Sequence, residues 1–153
     1  FNFLNNFFPK TDSPMQQGIF ESLTGCFLDG TPLKSIGYSE RRIYSVMDHL
    51  SRMFNTRVGS ISYLPDYGLP DISEVYRTMP EGLENLREAI RRTIEKYEPR
   101  LVNVRVQYQE PESCRQRIVF IISGQIKGGS QVRFQTTFTG TGNSSISPFR
   151  KKE

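Results

Sequence analysis

The sequence predicts an α+β fold of two layers, with helices packed on one face of a small antiparallel sheet. Three observations carry this. Helical apolar spacing recurs up to Tyr97, strand-like alternation takes over after Leu101, and Pro99 stands between the two regimes. Proline has no N–H and drives the residue before it out of the helical region, so the helix is expected to stop at Tyr97. The three short strand patterns that follow, separated by turn residues, suit a meander.

The 153 residues make one domain long enough to bury a core. It divides into an aromatic arm (1–13), an α+β domain (14–139) and a flexible basic tail (140–153). The arm begins Phe1-Asn2-Phe3-Leu4-Asn5-Asn6-Phe7-Phe8, too short to fold alone; it packs back on its own domain or lies on a partner. Ser13-Pro14 reads as a helix cap and first helical residue. This opens a short helix through Thr24, stopped by Gly25. Leu28 to Pro32 is a turn.

Ser39 is expected to cap a second helix, whose Ile43, Val46, Met47, Leu50, Met53 and Phe54 follow the three-and-four spacing of one helical face. His49 falls off that stripe and reads as a surface residue with no second metal ligand nearby. Between Asn55 and Asp71 two prolines and two glycines exclude a long regular element. The loop nevertheless keeps large apolar residues, so it is expected to be pinned on the core, with Gly68 at a turn that a β-carbon would obstruct. Asp71 and Glu74 have the layout of a capping box for a short helix to Thr78. Pro80-Glu81-Gly82 breaks it. The last helix, Leu83–Tyr97, buries Leu83, Leu86, Ile90, Ile94 and Tyr97, while Glu84–Arg87 and Glu88–Arg91 or Arg92 pair on its exposed side.

Among the strands, Val102, Val104, Val106 and Tyr108 alternate with polar residues, as on a sheet with one wet face. Ile118–Ile122 is apolar on both faces and is the expected central strand. Val132, Phe134, Thr136 and Phe138 alternate again. A three-stranded meander leaves Val102–Tyr108 and Val132–Phe138 as edges, where unpaired backbone groups are open to another chain. Of these the edge through Arg133, Phe134 and Gln135 is favoured, because a mobile tail leaves it uncovered. From Gly140 the chain is rich in Gly, Ser, Thr and Asn.

Lys and Arg exceed Asp and Glu by 20 to 16, giving a net charge of +4. The basic residues are dispersed, adjacent only at Arg41-Arg42, Arg91-Arg92 and Arg150-Lys151-Lys152, without a zinc or arginine-rich motif, so nucleic acid is not an expected partner. Cys26 and Cys114 do not form a disulfide framework and suit a reducing compartment. No secretory signal is visible at Phe1–Phe8, and nothing approaches the roughly 18 apolar residues of a membrane span. The expected location is cytoplasmic, not membrane-embedded.

No Ser/His/acid set, phosphate-binding glycine loop or His/Cys cluster is present, so no cofactor or metal is expected. One catalytic reading stays open, a lysozyme-like peptidoglycan hydrolase using two carboxylates among Asp66, Asp71, Glu74 and Glu98. At the joint itself, Glu98 and Arg100 put opposite charges around Pro99. They are either solvated surface charges or a pair that is buried or faces a partner.

Taken in order, Phe20-Glu21-Ser22-Leu23-Thr24-Gly25, Asn55-Thr56-Arg57-Val58-Gly59, Leu64-Pro65-Asp66-Tyr67-Gly68-Leu69-Pro70-Asp71 and Tyr97-Glu98-Pro99-Arg100-Leu101 resemble the TssE family. These are baseplate subunits of the type VI secretion system, similar to phage tail-baseplate wedge proteins once labelled tail lysozymes. The resemblance runs from Ile19 to Ile126. It implies a cytoplasmic structural protein without catalysis, set in a wedge with TssF and TssG near TssK and seeding the sheath of TssB and TssC. It also implies that Glu98, Pro99 and Arg100 secure the wedge contact, with Arg57 in the second of these motifs and Tyr67 and Gly68 in the third as further partner-facing candidates.

Overall fold

The computed structural model describes residues 23–32, 34, 37–111 and 117–149. The aromatic arm, most of the first expected helix, Cys114 and the basic end of the tail lie outside these residues. Contacts divide the chain into two units, residues 1–45 and 46–153.

In the first unit the expected turn at Leu28–Pro32 is present. The Phe27 amide donates to the Thr31 carbonyl and Asp29 Oδ1 accepts from the Thr31 amide, both at 2.9 Å. The Phe27 and Tyr44 rings meet at 5.4 Å.

Helix α1 runs Tyr38–Phe54. The amides of Glu40 and Arg41 donate to the Gly37 carbonyl, so the helix begins ahead of Ser39 and Gly37 occupies the capping position. Val46, Leu50, Met53 and Phe54 are buried as their spacing requires. Helix α2 is Ile72–Arg77, and Asp71 caps it by accepting from the Ser73 amide at 2.9 Å. Glu74 pairs with Arg77 instead of reaching back to the cap. Helix α3 is Glu81–Tyr97, two residues longer at its start than expected. It opens directly after Pro80, and a β-carbon on Gly82 would lie 2.5 Å from the Val75 carbonyl oxygen. Only glycine lets α2 and α3 approach this closely.

Four strands follow: β1 Leu101–Gln109, β2 Arg117–Ile126, β3 Gln131–Thr139 and β4 Ser144–Pro148. They form one antiparallel sheet in sequence order. Ile118, Phe120, Ile122 and Ile126 of β2 and Val132, Phe134 and Phe138 of β3 fill one face, with Leu86, Ile90 and Ile94 of α3 buried in the same core. Each of these large side chains contributes about 1.5–3 kcal/mol by leaving water. As expected, β2 is an inner strand.

Two expectations about the sheet are corrected. Residues 144–148, read as flexible tail, form β4: Thr136 pairs with Ile146 and Thr137 with Ser145. Strand β3 is therefore flanked on both sides and is not an edge; the edges are β1 and β4. The β4 pairing was not visible because Ser144–Pro148 carries a single apolar residue. It is fixed from outside instead, since Asn55 Oδ1 accepts from the Ser144 amide at 2.9 Å and Asn55 Nδ2 donates to its carbonyl at 3.2 Å.

Strand β1 also departs from clean alternation. Val102 pairs with Gln125 but Arg105 with Ser123, so β1 carries one extra residue there. Asn103 adopts φ 55°, a left-handed conformation that asparagine tolerates better than most residues. This bulge inverts the pleat, and Leu101 rather than Val102 faces the core together with Val106.

Candidate functional site

The joint between α3 and β1 is built on a buried carboxylate. The Glu98 amide still bonds back to the Ile94 carbonyl at 2.8 Å, closing the helix, while its own carbonyl accepts from Leu101 at 3.1 Å, opening the strand. This geometry turns the Glu98 side chain inward, where it is only 1% exposed. Arg100 grips it twice, Nε to Oε1 at 2.7 Å and Nη2 to Oε2 at 2.8 Å. His49 of α1 adds a third contact, Nδ1 to Oε2 at 2.8 Å. The arginine is itself 19% exposed and the histidine 32%.

Burial alone would raise the Glu98 carboxyl. The bonds from Arg100 and His49 outweigh burial and hold it at about 2. The Glu98 carboxylate is therefore internal to the chain and ionised at neutral pH, so these two are not a pair of solvated surface charges. His49 is corrected from surface residue to partner of the joint. One signal was available in sequence: His49 stands three residues after Val46 and four before Met53, on the border of the apolar stripe.

The loop from Thr56 to Asp71 lies against the same end of α3. Its two ends are tied by Leu69 amide to Thr56 carbonyl and Val58 amide to Leu69 carbonyl, both 2.9 Å. Gly68 has φ +106°, and a β-carbon there would sit 2.2 Å from the Thr56 carbonyl oxygen. The Gly68 carbonyl accepts from Thr93 Oγ1 of α3 at 3.3 Å. Next to it, the Tyr67 and Tyr97 rings meet edge to face at 5.0 Å, and burial pushes the Tyr67 phenol up. Arg57 bonds Asp71 at 3.0 Å. The loop is pinned as expected, but its tip is not, since Tyr63 is 83% exposed.

Thus Glu98, Pro99 and Arg100 gather with Tyr67 and Gly68 around the end of α3, with Arg57 at the base of the loop. The three residues expected at an edge stand elsewhere. Phe134 is 1% exposed and belongs to the core, leaving Arg133 and the half-buried Gln135 facing outward from an inner strand.

Every carboxylate considered for hydrolysis has a cation beside it. Asp66 bonds Lys96 and Tyr97, Asp71 bonds Arg57, Glu74 bonds Arg77, and Glu98 bonds Arg100. Lys96 and then Tyr97 hold the Asp66 carboxyl low, the Ser73 backbone holds Asp71 low, and Glu98 is lowered as above. A general acid for glycoside cleavage needs the opposite shift.

Residues 40–131 match the family described as baseplate wedge protein gp25. A chain in the structure of the baseplate complex from the type VI secretion system is 27% identical, with a TM-score of 0.56 over 76% of this chain and 100% of that one. A Geobacter sulfurreducens protein named for tail lysozyme is 16% identical, with a TM-score of 0.47 over 77% of this chain and 96% of that one. No curated protein sequence matches the chain.

Proposed function

The chain belongs to the baseplate wedge protein gp25 family, and from that premise we propose that it is a structural baseplate component of a type VI secretion system. In this reading it works in the cytoplasm without catalysis, binds TssF and TssG in the wedge near TssK, and initiates the sheath of TssB and TssC. The observation that carries the reading is the joint. A carboxylate buried to 1% exposure and clamped by Arg100 and His49 fixes how the exposed Pro99 and the outer side of Arg100 are presented. Removing one partner of such a pair leaves an unpaired buried charge, at a cost of roughly 3–5 kcal/mol. The effect of Glu98 on the wedge is therefore indirect, through the shape of the joint, whereas Pro99 and Arg100 contact the partner. Arg57, Tyr67 and Gly68 support the neighbouring loop. Sheath proteins would add at a free sheet edge, β1 or β4, not at β3.

Pull-down of TssF–TssG by wild-type, Arg100→Ala and Glu88→Ala proteins tests the reading, with folding checked by circular dichroism. Arg100→Ala should lose wedge binding and Glu88→Ala should keep it. Equal recovery with all three would remove the joint from the interface. The hydrolase alternative gains no support from carboxylates that are each paired with a cation, and purified protein is expected to leave peptidoglycan uncleaved. Turnover that vanished on replacing Asp66 or Glu98 would reverse that judgement.

A further inference from the structure

The sheet face turned away from the core has a charge pattern that the joint does not explain. None of the four strands contains an Asp or a Glu. Arg105 of β1 pairs with Ser123 of β2, and Ser123 pairs in turn with Arg133 of β3. The three form one row across the sheet. Their neighbours Val106, Ile122 and Phe134 point into the core, so the pleat turns this row outward. Two strand spacings separate the arginines by roughly 10 Å, with only a serine hydroxyl between them. Both arginines are exposed. The adjacent row places half-buried Ile121 between Gln107 and Gln135.

Many of the other cations are neutralised locally. Arg57, Arg77, Arg87, Arg91, Arg92, Lys96 and Arg100 each have a carboxylate within ion-pair distance. Among the described residues, no ion pair involves Arg105 or Arg133. Two like charges flanking one small residue repel, which gives an isolated sheet nothing. An anion placed over Ser123 removes that repulsion.

We propose that this face, centred on Arg105, Ser123 and Arg133, docks an acidic segment of a partner protein. A carboxylate sits between the guanidiniums, a small apolar side chain lies over Ile121, and the Gln107 and Gln135 amides, each both donor and acceptor, meet the partner's backbone. The surface is a face of the sheet and not the joint; it reaches the edge strand β1 through the side chains of Arg105 and Gln107, leaving that strand's outer backbone groups unused. A protein fits better than a nucleic acid: two arginines satisfy one or two carboxylates, whereas phosphate backbones are held by larger sets of cations.

The test is a titration of isotope-labelled full-length chain, followed by NMR at low ionic strength. The probes are a heptapeptide of alternating glutamate and isoleucine, the same peptide with lysine for glutamate, and a thymidine oligonucleotide. The glutamate peptide should shift the amides of Arg105, Ser123 and Arg133 and the arginine Nε–H signals, and the lysine peptide should not. A folded Arg105→Glu, Arg133→Glu double variant should bind the glutamate peptide at least about ten-fold more weakly. The milder Arg105→Gln, Arg133→Gln variant should fall between the two. Absent or scattered shifts, or undiminished binding by either double variant, would overturn the proposal. Tighter binding of the oligonucleotide at the same row would replace it with a nucleic-acid surface.

Discussion

Replacing Glu98 with Gln should remove a defined part of the pH dependence of stability. The carboxyl titrates at about 2 in the folded chain against an ordinary value of 4.5, a depressed case. Its contribution is therefore complete above pH 4.5 and is lost as pH falls towards 2. At about 1.4 kcal/mol for each tenfold change in proton affinity, the full contribution is about 3 kcal/mol, and less than half of it remains at pH 3. Urea unfolding of wild type and Glu98→Gln at pH 6, 4.5 and 3 measures this. With a slope of about 1–3 kcal/mol per molar urea, the midpoints should differ by on the order of 1–3 M at pH 6 and converge in acid. Other carboxylates titrate alike in both proteins and cancel in the difference. A gap that stays constant from pH 6 to pH 3 would refute the argument, since it would mean that ionisation of Glu98 is not what the Arg100 and His49 contacts stabilise.

Three further outcomes are expected. Gly68→Ala forces a β-carbon against the Thr56 carbonyl oxygen at positive φ, so it should lower unfolding stability by more than about 3 kcal/mol; an unchanged urea midpoint would contradict the loop geometry. Asn55→Ala deletes both bonds to Ser144, at about 1–2 kcal/mol. Hydrogen exchange should then quicken at Ser144 and Phe149 while the β2 amides stay protected, and unchanged exchange at Ser144 would show that Asn55 does not hold β4. Glu88→Ala removes contacts to Arg91 and Arg92 on an open helix face, where solvent screens ion pairs, and should leave the thermal midpoint nearly unchanged; a clear drop in that midpoint would mark the ladder as structural.

The elements that sequence made legible are those fixed by their own side chains. The stripe of α1, the buried side of α3, the two apolar faces of β2 and the alternation of β3 all reflect where apolar residues fall along the chain. The interruption at Pro99 follows from one ring. Most of what escaped was decided by distant partners, and the rest by one backbone conformation. Strand β4 depends on backbone groups of β3 and on the Asn55 amide, and neither leaves a trace within Ser144–Pro148. The phase of β1 depends on a single left-handed residue, Asn103, which no alternation count can detect. At the site, opposite charges at Glu98 and Arg100 were visible. Their burial was not, because it requires His49 from a helix 49 positions earlier. Reading β3 as an edge failed for the same reason as β4, since an edge is defined by what does not arrive beside it.

The bulge in β1 also governs how force would pass through this protein. On its joint side, the Arg100 carbonyl accepts from the Lys127 amide at 2.7 Å and Leu101 pairs with Ile126. Both partners lie where β2 turns towards β3. A pull on Arg100 would thus reach that hairpin first, because the ladder is interrupted between Val102 and Arg105. The far part of β1, paired to β2 beyond the interruption, would take up less of the load. A rivet behaves likewise: its head is seated in the plate beneath it, and the sheet beyond need not stretch.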